Sequence, residues 1–285
     1  MDRTYDAESA NKELDRFHYT PPILILYFLL AFIITWSILI PVFTAVPEEF
    51  HLLGIIPAAF GPFIAAMVSV RLGNGKGSLR PWFRRRFTFR VPVILYLSGA
   101  FFLPVLGIGV LHYLLYRLLG GKPDFSEALP WYLYLLYLVP TVLLTGGNEE
   151  PGWRGFALPG LLHYFHPVTA SVILGFFHAL WHLPMMGHYG TSLGWYLLNV
   201  LPLTFLLNWF FLTSRGSIFP VMLLHAGTNV IGSFIPIPED IFSGFDTFMI
   251  LRSIVYWIMA IVLLIATKGR LGYQAAAPPV DTPDS

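Results

Sequence analysis

Cysteine is absent from all 285 residues, so the chain has no disulfide, no thiolate zinc site and no cysteine nucleophile. Charge is almost as scarce. Lys, Arg, Asp and Glu together make up 12% of the chain, about half the share usual in soluble domains. Hydrophobic residues take up the difference at 56%, which marks a polytopic membrane protein and removes any meaning from a domain count based on length. A net charge of +1 gives no ground for a nucleic-acid partner. Several catalytic signatures are missing as well. The run "HALWH", which starts at His178, has no glutamate after its first histidine, which rules out the usual HExxH metalloprotease. Asp6 and Asp246 lie in polar segments, so no aspartate pair is available at membrane depth.

What the chain does have is one long apolar run after another. A helix needs about 20 apolar residues to cross a bilayer. The stretches 22–46, 51–72, 91–116, 130–148, 167–186, 194–214, 217–235 and 247–267 meet that length. The expected fold is therefore all-α, a polytopic membrane helical bundle of about eight transmembrane helices. Residues 1–21 form a polar N-terminal segment, 22–267 the membrane-embedded domain, and 268–285 a tail whose "AAAPPVDTPDS" has nothing to pack. The first twenty residues lack the basic-then-apolar pattern of a cleaved leader, so the first run is expected to remain as a span. Arg71, Lys76, Arg80, Arg84, Arg85, Arg86 and Arg90 fall between the second and third runs. Arg3, Lys12 and Arg16 precede the first run, and Lys268 and Arg270 follow the last. Under the positive-inside rule all three regions, and so both termini, face the cytoplasm. In "RPWFRRRFTFR" the arginines alternate with Trp82, Phe83, Phe87 and Phe89, the composition of a segment lying on anionic headgroups.

Against this background three polar clusters stand out, because ionisable groups at membrane depth are costly and face a partner or cavity. They are Glu149, Glu150 and Arg154 in "EEPGWRG", His178 and His182 in "FFHALWHLP", and His225 and Asn229 in "LLHAGTN". The last two pairs are spaced i, i+4 and each shares one helix face. Each cluster alone also has a plain structural reading. The glutamates can end a span at headgroup level, with Pro151 opening the next helix. His178 can be a packing histidine, and His225 and Asn229 can bond neighbouring helices. Together, two carboxylates, a guanidinium, three histidines and an amide are the groups that activate water and stabilise an oxyanion. They equally suit a glutamate-based or unusual metal-based hydrolase, or the relay of a proton-coupled transporter.

The three clusters, in this order, resemble the CPBP family of intramembrane endopeptidases, the CAAX protease and bacteriocin-processing group also called ABI or type II CAAX prenyl endopeptidases. Its first motif, EExxxR, is met by Glu149, Glu150 and Arg154 within "EEPGWRGFALP". Its second is an aromatic residue followed four positions later by a histidine. Here His182 is kept and His178 replaces the aromatic. The third, HxxxN, is met by His225 and Asn229, and "AAFGPFIAAM" also looks family-like. The strong resemblance covers about residues 140–235. It implies an endopeptidase in which Glu149 is the general base on a water that His182 holds opposite it. His225 and Asn229 would then donate to the oxyanion, and Glu150 and Arg154 would pair in support. No cofactor is required on that picture. The family has also been described as zinc-dependent, and a Zn2+ ion would take Glu149, His182 and His225. His178 is then a second water partner, a metal ligand or a polar wall.

The resemblance implies a bond near the C-terminus of a membrane-anchored or prenylated CAAX-like chain as the target, with membrane lipids as the other partner and a prokaryotic plasma membrane as the location. The rival readings are a proton-coupled transporter, which would usually show related halves, and a non-catalytic membrane partner that kept the fold. No internal repeat is visible in the sequence. On the eight-span reading Glu149 ends the fourth span near the cytoplasm, whereas His182 lies about 21 Å along the fifth at 1.5 Å per residue. For the two to meet, "GFALPGLLHYF" must belong to a re-entrant or buried arrangement, or the span boundaries must move.

Overall fold

The structure, a computed structural model, describes residues 17–126, 128–236, 241 and 247–273, and over these it is helical with no strand. The polar segment up to residue 16, the tail from 274 and Asp246 lie outside the described residues. In chain order the first helices are α1 (Pro21–Ala45), α2 (Glu48–Asn74), the short α3 (Leu79–Arg86) and α4 (Val93–Leu118). Then come α5 (Tyr134–Leu144), α6 (residues 147–162), α7 (Pro167–Trp181) and α8 (Leu183–Tyr189). The last three are α9 (Leu193–Thr213), α10 (Phe219–Phe234) and α11 (Thr247–Ala266).

Only α1, α2, α4, α9 and α11 are long and apolar enough to cross a bilayer, and α7 with α8, bent by 50°, makes a sixth if the two are one span. The expected eight spans thus become five or six among the described residues. The difference lies in two runs that are apolar enough but not continuous enough. Stretch 130–148 holds the 11-residue α5. Stretch 217–235 holds α10, which starts only after a tight turn where Arg215 and Gly216 both have positive φ. Hydropathy counts apolar residues, whereas a span also needs an unbroken hydrogen-bond ladder.

Tertiary contacts place one set of helix ends together. The start of α1 meets the end of α2 through the His18 amide on Asn74 Oδ1, and meets the loop after α6 through the Tyr164 hydroxyl on the Tyr19 carbonyl. The Ile218 amide, just before α10, donates to the Arg86 carbonyl at 2.8 Å. Arg71, Lys76, Arg80, Arg84, Arg90 and Arg215 lie around these junctions, so this is the basic end of the bundle.

From the opposite end, where Trp131 packs on Phe234, α5 runs back along α10 and stops inside the bundle. The chain breaks at Thr145, which is extended, and at Gly146, with φ 114° and ψ −73°. It resumes as α6, which ends beside Leu24 and Tyr19 of the basic end. α6 is wholly buried, and it is this broken path that lowers Glu149 from a span end into the interior.

Two contacts explain its sequence. A Cβ on Gly152 would stand 2.3 Å from the Pro62 carbonyl oxygen, so only glycine lets α6 lie this close to α2. Residues Trp153–Ala157 form wide π turns, which loosen the local ladder and are frequent at functional sites. The Gly155 carbonyl in those turns accepts from Trp82 Nε1 at 3.2 Å and Arg86 Nε at 2.7 Å. Segment 80–90 therefore has two faces. Arg80 and Arg84 are exposed as a headgroup-facing segment requires, whereas Trp82 and Arg86 are completely buried against the site helix.

Candidate active site

Three helix interiors converge behind the break. α6 brings Glu149, Glu150 and Arg154, the end of α7 brings His178 and His182, and α10 brings His225 and Asn229. His225 lies about 9 Å into α10 and His178 about 17 Å into α7 at 1.5 Å per residue, both measured from ends at the basic side. Glu149, Glu150, Arg154, His178 and His225 are buried, His182 is half-buried and Asn229 is exposed. The depth conflict in the span reading is resolved, because Glu149 and the α7 histidines meet.

Glu149 Oε2 lies 3.2 Å from His178 Nε2. The His178 carbonyl in turn accepts from His182 Nδ1 at 2.9 Å. A carbonyl only accepts, so Nδ1 of His182 carries the proton, and in the neutral ring Nε2 is left as an acceptor. The rings of His178 and His182 have centroids 5.2 Å apart, and Tyr196 of α9 sits 4.9 Å from His182 on its other side.

The second carboxylate has a different environment. Glu150 Oε1 accepts from Arg154 Nη1 at 2.8 Å and from His225 Nδ1 at 2.6 Å. Arg154 Nε donates to Asn208 Oδ1 at 3.1 Å, Asn208 Nδ2 donates to Ser171 Oγ at 2.9 Å, and that hydroxyl donates to the Pro167 carbonyl at 2.8 Å. One chain of bonds thus ties α10, α6, α9 and α7 together. A buried ion pair needs such further bonds to offset its desolvation. Asn208 and Ser171 escaped the reading of the sequence. The only trace there is a single amide inside the apolar run "FLLNWFF".

Asn229 takes no part in this chain of bonds. Its Nδ2 covers Gly146, where an added Cβ would come within 2.6 Å of it. Glycine at 146 therefore serves twice, since its φ of 114° is also one that side-chain-bearing residues rarely adopt. The break before Glu149 and the amide of Asn229 form one corner of the site.

The donors suited to a metal ion are Glu149, His178 and His182, whose ligand atoms lie within 4.8 Å of one another. In this set His178 stands where the resemblance would put His225, whose Nδ1 bonds Glu150. A tetrahedral zinc with bonds of about 2.1 Å holds its ligands about 3.4 Å apart. The Glu149–His178 separation of 3.2 Å is already at that scale, and all three ligand atoms lie within 4.8 Å. A metal-bound histidine also donates its other N–H to a partner. His182 has one in the His178 carbonyl, but His178 Nδ1 is buried with no partner among the described residues. A water fits the spacing with less movement, since two hydrogen bonds of about 2.8 Å span up to about 5.6 Å.

Residues 130–231, which hold all seven of these residues, match the sequence profile of the family described as Type II CAAX prenyl endopeptidase Rce1-like. Over 252 residues the chain is 25% identical to CAAX prenyl protease 2 of Methanococcus maripaludis, an alignment covering 80% of this chain and 89% of that protein. Both similarities support membership of the CPBP family. Within that family's profile the match starts at the foot of α5 and stops inside α10, so it covers the broken path and its facing helices. Arg86 and Trp82 lie outside it. The several long apolar helices and the family together make this an integral membrane protein.

Proposed function

We propose that the chain is an intramembrane endopeptidase that hydrolyses a peptide bond near the C-terminus of a membrane-anchored or prenylated, CAAX-like substrate, using a water activated by Glu149. The observation that carries this reading is the pairing of Glu149 with His178 and His182 inside the bundle, together with the fixed tautomer of His182. A water between Glu149 and His182 directs one hydrogen to the carboxylate and the other to Nε2 of His182. Its lone pair is then free for the scissile carbonyl.

Glu149 takes the water proton as the oxygen bonds to the carbonyl carbon. The oxyanion that forms is met by Asn229 Nδ2 and by His225, whose Nε2 donates when the ring is an imidazolium paired with Glu150. The intermediate collapses as the carbon–nitrogen bond breaks, and the proton held by Glu149 passes to the leaving amine. Glu150 and Arg154 touch no reacting atom. They hold the His225 ring and the turn that carries Glu149. No step passes through a metal ion, and the basic end faces the cytoplasm under the positive-inside rule.

The test is cleavage of a quenched, prenylated CAAX peptide by the protein in liposomes, for wild type and Glu149→Gln, with and without a strong chelator. Cleavage that survives chelation and disappears in the variant is the expected result. Cleavage that chelation removes and zinc restores overturns the metal-free mechanism. Cleavage by the variant at the wild-type rate overturns the role of Glu149.

A further inference from the structure

Arg86 presents a problem of its own. It is fully buried, with no carboxylate partner among the described residues. Its charge is instead spread over neutral groups. Nε donates to the Gly155 carbonyl, Nη2 reaches the Tyr19 hydroxyl at 3.4 Å, and the guanidinium lies 5.5 Å from the centroid of the Phe211 ring. Burying a cation this way is costly, and nothing about helix packing alone calls for it. A leucine or methionine would fill the same space.

The contacts of Arg86 show where that cost is spent. Gly155 directly follows Arg154, and its carbonyl sits in the π turns that have loosened the ladder of α6. Trp82, one turn before Arg86 on α3, donates to the same oxygen. The main chain of Arg86 meanwhile accepts from Ile218, the residue before α10. Phe211 lies three residues after Asn208, the partner of Arg154. One residue therefore grips α6 with its side chain and α10 with its carbonyl, and it rests on α9.

From these contacts we infer that Arg86, assisted by Trp82, is a positioning residue: it sets the rotation of α6 against α10 and thereby the bond between Glu150 and His225 and the placement of Glu149. Its kinetic consequences rest on the proposed peptidase reading, whereas its structural consequence does not. The wide i→i+5 turns of Trp153–Ala157 hold α6 more loosely than an α-helical ladder does, and the two donors on the Gly155 carbonyl add a constraint from outside. Displacing a reacting group by about 1 Å can cost about a hundredfold in rate.

The experiment uses full-length protein in liposomes and compares wild type with Arg86→Met, Arg86→Lys and Trp82→Phe. The first readout is independent of activity. The short His225–Glu150 bond gives a far-downfield ring N–H proton in solid-state NMR of 15N-histidine protein, assigned by its loss in His225→Gln. The second readout is kcat and KM separately for the peptide substrate, with thermal unfolding as a control. In Arg86→Met the downfield proton is expected to shift or broaden, and kcat to fall about 10- to 100-fold with KM little changed. Arg86→Lys should recover part of both, and Trp82→Phe should show the smaller effect. The Arg86→Met loss should also be smaller in a Glu150→Gln background, where the Glu150–His225 pairing is already gone and only the placement of Glu149 is left to disturb. An unchanged proton signal in a folded Arg86→Met protein overturns the inference, whatever the activity. So does a loss that tracks unfolding, adds to that of Glu150→Gln and is not recovered by lysine. If wild type cleaves nothing but the signal moves as expected, the positioning role stands and the peptidase reading fails.

Discussion

Two adjacent glutamates, consecutive in sequence and at similar depth, live in opposite surroundings. Glu150 is enclosed, and one of its oxygens takes bonds from Arg154 and His225 while Asn208 and Ser171 extend the chain to α7. Among the described residues Glu149 makes one side-chain bond shorter than 3.5 Å, to His178, with Trp153 also near and a half-buried His182 beside it. The enclosed carboxylate is tied to four helices and has little freedom to do anything but hold them. The other keeps bonding capacity toward a place where a water fits. A carboxylate that serves as a base needs just that, since every bond a neighbour makes to it competes with the water.

The widest separation between the two should come from removing each side's charge. Glu149→Gln keeps the shape and is expected to lower kcat by about 10²–10⁴ with an unchanged melting temperature in detergent. A Glu149→Gln protein that melts several degrees lower would place Glu149 among the structural groups. Arg154→Met should behave in the reverse sense. Breaking one partner of a buried pair costs about 3–5 kcal/mol, so the melting temperature should drop sharply, and activity should fall with the folded fraction. An Arg154→Met protein as stable as wild type would mean that the network holds nothing together.

How far the sequence discloses this contrast depends on the kind of information each part needs. The residue types are legible, because Glu149, Glu150, Arg154, His178, His182, His225 and Asn229 are polar where the surroundings are apolar. The i, i+4 spacing also puts His178 with His182 on one face, as the structure does. Pairing is not legible. Nothing local distinguishes Glu149 from Glu150, and His225 reads as a partner of either. The end of α5 was missed for a related reason. The run before Gly146 stays apolar, and the stop comes from one backbone conformation and from Asn229 lying across it. Arg86 looks like Arg84 and Arg85 in composition. Only its i, i+4 relation to Trp82 hints that this pair turns inward.

Asn229 sharpens the comparison from the exposed side. It belongs to neither buried chain of bonds, so Asn229→Ala should leave the melting temperature alone and lower kcat by about 10²–10³, the usual loss for one oxyanion donor. KM should hardly move, because the oxyanion exists only beyond the ground state. A rise in KM at constant kcat would turn Asn229 into a substrate contact.

The smallest effect is expected at His178, where the chain departs from the family's aromatic residue. In the water-based reading His178→Phe removes one donor to a charged carboxylate, a bond worth about 1.5–3 kcal/mol, or about 10- to 100-fold in rate. Glu149 keeps its water and His182 keeps its acceptor nitrogen, since the carbonyl that fixes its tautomer belongs to the backbone of residue 178 and survives the change. The residual activity should be equally indifferent to chelator, as in wild type. In a metal-based site His178 would be one of three protein ligands, and its loss would release the ion and abolish turnover. Partial, chelator-insensitive activity in His178→Phe therefore sets Glu149 apart as a base. Abolished activity in a protein of wild-type stability would join Glu149, His178 and His182 into a single metal-holding unit.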